Sequence, residues 1–177
     1  MQANTCFRHR PGVLAICVLA STLLARPAIA QCHMGPVSFQ APTCDVKTKL
    51  DDDRKDYVDW EDAGTSYEIV LITPKRPRAF RGYLARWQHN HKCTAAERQI
   101  GKPTEISAVD RKSKEIPPQL TWSGTCAAPG DSYIIRAIAI GPQIVEAHVW
   151  GAKLERSFST LLDQLIVSPT SPQSTQR

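Results

Sequence analysis

The chain has 177 residues, 22 of them basic and 17 acidic, for a net charge of +5, and it carries six cysteines. Three of the basic residues and none of the acidic ones fall in the first 30, so the rest holds 19 against 17, a net +2. The basicity is mostly that of the leader, which excludes a strongly cationic protein and leaves nucleic acid an unexpected partner.

Arg8 and Arg10 precede the apolar run VLAICVLASTLLA, and Ala28, Ile29 and Ala30 supply the small-any-small pattern of signal peptidase sites. Residues 1–30 read as a cleaved secretory signal. The run is shorter than the ~20 apolar residues of a membrane helix, and no later segment approaches that length, so no stable membrane anchoring is expected. Gln31 lies between Ala30 and Cys32, so the first residue after cleavage is not the cysteine that lipid attachment needs. The expected product, residues 31–177, is long enough for one domain with a core but hardly for two, and its compartment is the periplasm or the medium.

Cys6 and Cys17 leave with the signal. Cys32, Cys44, Cys93 and Cys126 remain, an even number for an oxidising compartment, and three pairings are possible. Short separations favour Cys32 with Cys44 and Cys93 with Cys126, the second tying a helix end to a strand. Each bridge contributes ~2 to 4 kcal/mol.

Cleavage after Ala30 also places His33 third in QCHM. A free amine, two deprotonated amides and a third-position imidazole form the square-planar set that copper(II) and nickel(II) prefer, which makes His33 an alternative metal site.

Residues 37–50 read as extended and DDDRKD as a polar turn; the three aspartates lack the spacing of a calcium loop. YVDWEDAG alternates, with Val58 and Trp60 on one face, as a half-buried strand does. SYEIVLIT is a β-branched apolar run ended by Pro74 and reads as a central strand. Pro77 suits the first turn of a helix, and Phe80, Leu84, Trp87 and His91 then recur at helical spacing. The stretch RWQHNHKC ends that helix. On it His91 joins the apolar stripe and His89 is rotated ~200° away, so the two cannot share one ion unless the helix stops first. A disulfide-bonded Cys93 is no ligand or nucleophile.

Residues 94–119 are mostly polar, with a weak strand at EISAV and a turn at IPP. QLTWSGTC reads as a strand and APGD as a turn. SYIIRAIAI and QIVEAHVW flank Gly141 and Pro142 as an antiparallel hairpin. Glu146, His148 and Trp150 share one face of the second strand, opposite Val145, Ala147 and Val149. The commoner origin of that pattern is a solvated face; the sharper one is a general-base pair. Leu154, Phe158, Leu161, Leu162, Leu165 and Ile166 follow at helical spacing, stopped by Ser168 and Pro169, and residues 169–177 form a disordered tail. No GxSxG, HExxH, SxxK or phosphate-cradling glycine loop occurs, and Ser123 has no identifiable base.

Charge is segregated. From Asp45 to Asp62 eight acids meet four bases, whereas between Glu68 and Glu97 there is no acid and Lys75, Arg76, Arg78, Arg81, Arg86 and Lys92 supply six cations. Cations in a first helical turn oppose the macrodipole, so these arginines do not serve helix stability.

FQAP, SYEIVLITP running into AFRGYLARW, and the late hairpin followed by FSTLLDQLIVSP resemble, in order, the PsbP/DcrB-like α/β sandwich proteins. The resemblance implies an antiparallel sheet sandwiched by helices and a role in binding or assembly, and it carries over no site residue. The expectation is an α+β domain, residues 31–168, with an antiparallel sheet packed by two main helices and two disulfides. It would be a noncatalytic binding protein without cofactor. Its partner would be an acidic envelope protein, an enzyme or toxin that it inhibits, engaged through Lys75, Arg76, Arg78, Arg81 and Arg86. The rivals are a copper or nickel binder using His33 and a hydrolase using His148 with Glu146.

Overall fold

The structure is a computed structural model that describes residues 29–76, 79–106, 116–126, 132–151 and 154–168. Residues 1–28, most of the expected signal, together with Pro77, Arg78, the expected APGD turn, most of EISAV and the expected tail, lie outside the described residues.

In chain order the elements are β1 (Ala30–Met34), β2 (Val37–Ala41), β3 (Lys47–Leu50), β4 (Arg54–Asp62), β5 (Thr65–Thr73), α1 (Tyr83–His91), β6 (Ala96–Glu97), β7 (Gln119–Thr125), β8 (Ser132–Ile140), β9 (Gln143–Gly151), α2 (Leu154–Gln164) and β10 (Ile166–Val167). They form a three-stranded sheet, β1-β2-β10, and a seven-stranded sheet, β3-β4-β5-β9-β8-β7-β6, whose neighbours all pair antiparallel. Two antiparallel sheets, two helices and two disulfides bear out the α+β expectation at that level.

Turn chemistry sets the hairpins. Gly35 and Gly141 stand at φ +56° and +55° and each precedes a proline, closing β1-β2 and β8-β9 in two residues. Ala63 and Gly64, at φ +47° and +76°, close β4-β5 with Asp62 opposite Thr65. The β4 strand begins at Arg54, so the polar turn is confined to Asp51, Asp52 and Asp53.

Period-two alternation buries both faces of the large sheet. Ile69 and Leu71 of β5, Ile134 and Ile138 of β8, and Val145, Ala147 and Val149 of β9 join one core with Phe39 of β2 and with Phe158, Leu161 and Leu162 of α2. Val70, Ile72, Ile135 and Ile144 join the other, with Trp122 of β7, Tyr133 of β8 and Trp87 of α1. Fully burying side chains of this size contributes ~1.5 to 3 kcal/mol each.

Arg136 is the one charge in SYIIRAIAI, and it is buried. Its Nε donates to Thr121 Oγ1 at 2.8 Å, Nη1 to the Lys102 carbonyl at 2.6 Å and Nη2 to the Ile100 carbonyl, which fastens residues 100–102 over the sheet.

Three boundaries differ from expectation. The described helix α1 begins at Tyr83, not Pro77, because Gly82 takes φ +74° and the Arg86 guanidinium holds the carbonyls of Ala79 (2.7 Å) and Arg81 (3.1 Å) in a loop. Helix α2 ends at Gln164, and Ile166 and Val167 turn extended to pair with β2, where Val167 is fully buried. Ile106, in EISAV, makes only an isolated bridge to Val167.

Candidate functional site

The β5-β9 register sets Glu68 opposite His148 and Val70 opposite Glu146, so pleating brings Glu68, Glu146 and His148 onto the face that carries α1. His148 Nε2 lies 2.9 Å from Glu146 Oε2, and Nδ1 lies 3.3 Å from Glu68 Oε2, within ion-pair range but not aligned for a hydrogen bond. From the first turn of α1, Tyr83 donates its hydroxyl to Glu146 Oε1 at 2.5 Å. Glu146 and His148 keep only 4% and 7% exposure, so the solvated face expected for Glu146, His148 and Trp150 is in fact covered. The reason is α1, whose placement no local pattern on β9 reveals.

Burial alone would lower the pKa of His148, but its contacts with Glu146 and Glu68 outweigh that and raise it to about 9. Burial alone would raise Glu146; the bonds from His148 and Tyr83 outweigh it and hold the carboxylate below its usual range. Burial first, then Glu146, pushes the Tyr83 phenol far up. At neutral pH Glu146 is therefore a carboxylate, His148 an imidazolium and Tyr83 a phenol. A general base needs a neutral ring nitrogen aimed at a nucleophile. Here both nitrogens face carboxylates, the phenol is committed to Glu146, and Cys93 and Cys126 are bonded to each other. The arrangement stores charge and clamps α1 to the sheet.

At the C-terminal end of α1 an open recess of about 450 Å³ is lined by Glu68, Trp87, His91, Lys92, His148, Trp150 and the Cys93–Cys126 bridge. His91 stacks on Trp87 with ring centres 4.4 Å apart, and its Nδ1 lies 2.8 Å from the Trp87 carbonyl. The helix runs through both histidines, and His89 is exposed, rotated away from His91. Among the described residues no three His, Cys, Asp or Glu side chains are grouped to hold a metal ion.

Both cysteine pairs stand as expected, Cys32 with Cys44 at a Cα separation of 5.2 Å and Cys93 with Cys126 at 4.3 Å. His33 sits exposed on β1 opposite Ser38, whose hydroxyl is 2.8 Å from its Nδ1. Cys32 and His33 lie within the β1-β2 ladder.

The basic residues divide. Lys75 bonds by its amide to Asp53 Oδ1 (3.2 Å) and by Nζ to the Asp51 carbonyl (2.7 Å), and Arg86 holds its own loop. Arg76 and Arg81 are exposed and have no acid partner among the described residues; Arg78 lies outside them. Of the four cations on β3 and β4, by contrast, three are matched: Lys47 with Asp59 (2.5 Å), Lys49 with Asp51 (2.9 Å) and Arg54 with Asp56 (3.0 Å).

Sequence reasoning missed Glu68 and Tyr83. The available signal was that Glu68 is the only charge in SYEIVLIT, since a central strand seldom buries a charge without a partner.

Compared with known proteins, the chain matches no family model, and neither a curated protein nor a solved structure resembles it significantly. Among the described residues no helix is long and apolar enough to cross a membrane.

Proposed function

We propose that the protein is a noncatalytic binding protein of the periplasm or the medium, which engages an acidic protein partner, an enzyme or toxin that it neutralises, through the cations around α1. One observation carries the reading: Arg76 and Arg81 project without an acid partner among the described residues, while three of the four cations of β3 and β4, Lys47, Lys49 and Arg54, are matched by aspartates. Unmatched surface cations steer and select anionic partners. The two disulfides suit an oxidising compartment.

A resemblance to the PsbP/DcrB-like sandwich proteins belongs to the same proposal. It is supported by SYEIVLIT forming a strand that leads towards α1 and by the late hairpin leading into α2. The hydrolase alternative retains the His148–Glu146 contact, but among the described residues no nucleophile is positioned against it.

The test is capture from an envelope extract by the immobilised protein and by Arg76→Ser/Arg81→Ser, at low and high salt. A single acidic protein retained by the native form and lost from the variant or at high salt is expected. Equal retention by both forms, or none, overturns the proposal.

A further inference from the structure

We infer that the recess at the C-terminal end of α1 binds an organic cation, an ammonium or guanidinium group, with Glu68 as counter-ion and Trp150 and His91 as aromatic walls. The inference does not depend on the acidic partner proposed for the basic loop.

The floor carries an uncompensated charge. Glu68 and Glu146 supply two negative charges and the imidazolium of His148 only one positive charge. The surplus sits at the accessible end: the Glu68 side chain is 25% exposed, against 6% for Glu146 and 9% for His148. Glu68 Oε2 comes within 3.3 Å of His148 Nδ1, and the carboxylate, which lines the recess, accepts no hydrogen bond from a side chain among the described residues. Lys92 stands on the rim but forms no ion pair among the described residues.

The walls favour a cation with an organic body. Trp87, Trp150, His91 and the Cys93–Cys126 bridge are apolar or aromatic, and a volume of about 450 Å³ takes a group the size of a lysine or arginine side chain. Trp150 meets the His148 ring at 62° rather than stacking on it, and His91 gives only one face to Trp87, so ring faces remain for a ligand. Aromatic faces carry negative potential and attract cations, most strongly where water is partly excluded. An anion would meet Glu68, and a neutral apolar ligand would leave its carboxylate desolvated and unpaired.

The experiment is a titration of the disulfide-bonded protein at neutral pH, followed by NMR at the Trp150 indole and the His91 ring. The probes are n-butylammonium and ethylguanidinium, with butyrate and butanol as controls. Saturable shifts with the cations alone are expected. Glu68→Gln should weaken binding about tenfold, Trp150→Ala several-fold, and Lys92→Gln should tighten it by removing a like charge. Near-UV circular dichroism checks that each variant is folded, and Trp150→Ala serves if Glu68→Gln is not. Equal response to butyrate or butanol, no saturable shift, or unchanged affinity in folded Glu68→Gln or Trp150→Ala overturns the inference. Tighter binding of a blocked Gly-Lys-Gly peptide than of butylammonium would identify a protein side chain as the source of the cation, and the reverse order a free amine.

Discussion

His148 keeps its proton because two carboxylates, Glu146 and Glu68, stabilise the charged ring, and that stabilisation has a direction in pH. Its pKa is about 9 in the fold against 6.5 for an unperturbed ring, so the imidazolium stabilises the fold fully below about 6.5 and progressively less as pH rises through 9. Glu146, held below its ordinary value, contributes above that value and loses its contribution as pH falls through the folded pKa. Urea midpoints at pH 6.5 and 9.5 should show the native protein losing stability on the alkaline side, on the order of 3 kcal/mol, whereas His148→Gln should be destabilised at pH 6.5 and nearly flat between the two. A flat native profile would mean that the ring is neutral in the fold. At this scale the sequence was half legible. Glu146, His148 and Trp150 on one face followed from alternation, but Glu68 came from a strand more than 70 residues away and Tyr83 from a helix, and no local pattern reports either contact.

Helix α1 is short and weakly framed. It has nine residues, no side-chain N-cap and no acid in its first turn, so it depends on tertiary contacts. Arg86 holds two loop carbonyls before it, Tyr83 anchors its start, and Trp87 packs edge-on against Trp122 with ring centres 5.3 Å apart. The cations around it should therefore separate by experiment. Arg86→Ser is expected to cost about 1 kcal/mol in denaturant melts through its lost bonds, and Arg76→Ser or Arg81→Ser to stay within about 0.5 kcal/mol. If Arg81→Ser destabilises as much as Arg86→Ser, Arg81 belongs to the fold and is not free for a partner. Apolar spacing showed that a helix would form and that Trp87 and His91 would share its stripe. Its late start was hidden, because the positive φ of Gly82 and the Arg86 bonds are decided by how the loop meets the sheet. Ile166 and Val167 teach the same lesson: helical spacing continued through Ile166, but an open edge on β2 drew the segment into a ladder.

Across the molecule the disulfides restrain different ends of the architecture. Cys32–Cys44 spans 12 residues beside the small sheet, and Cys93–Cys126 spans 33 and joins the segment after α1 to the end of β7. In the loop-entropy account the longer bridge restricts the unfolded chain more, by about 1 kcal/mol. Cys93→Ser/Cys126→Ser should therefore lose about 3 kcal/mol or more, with hydrogen exchange rising first in α1, and Cys32→Ser/Cys44→Ser somewhat less. Uniform exchange in the first variant would show that the bridge does not specifically hold the helix.

The sequence by itself determined the strands of the late hairpin, the central strand at SYEIVLIT and the amphipathic character of both helices, and it favoured one of the three pairings of four cysteines, because alternation, helical spacing and the ease of closing short loops are legible along the chain. Tertiary structure alone decided that β5 lies between β4 and β9, that α1 covers Glu146 and His148, and that Glu68 completes their charge. Those outcomes depend on register between distant strands and on desolvation under a docked helix, two quantities that exist only once the chain has closed on itself.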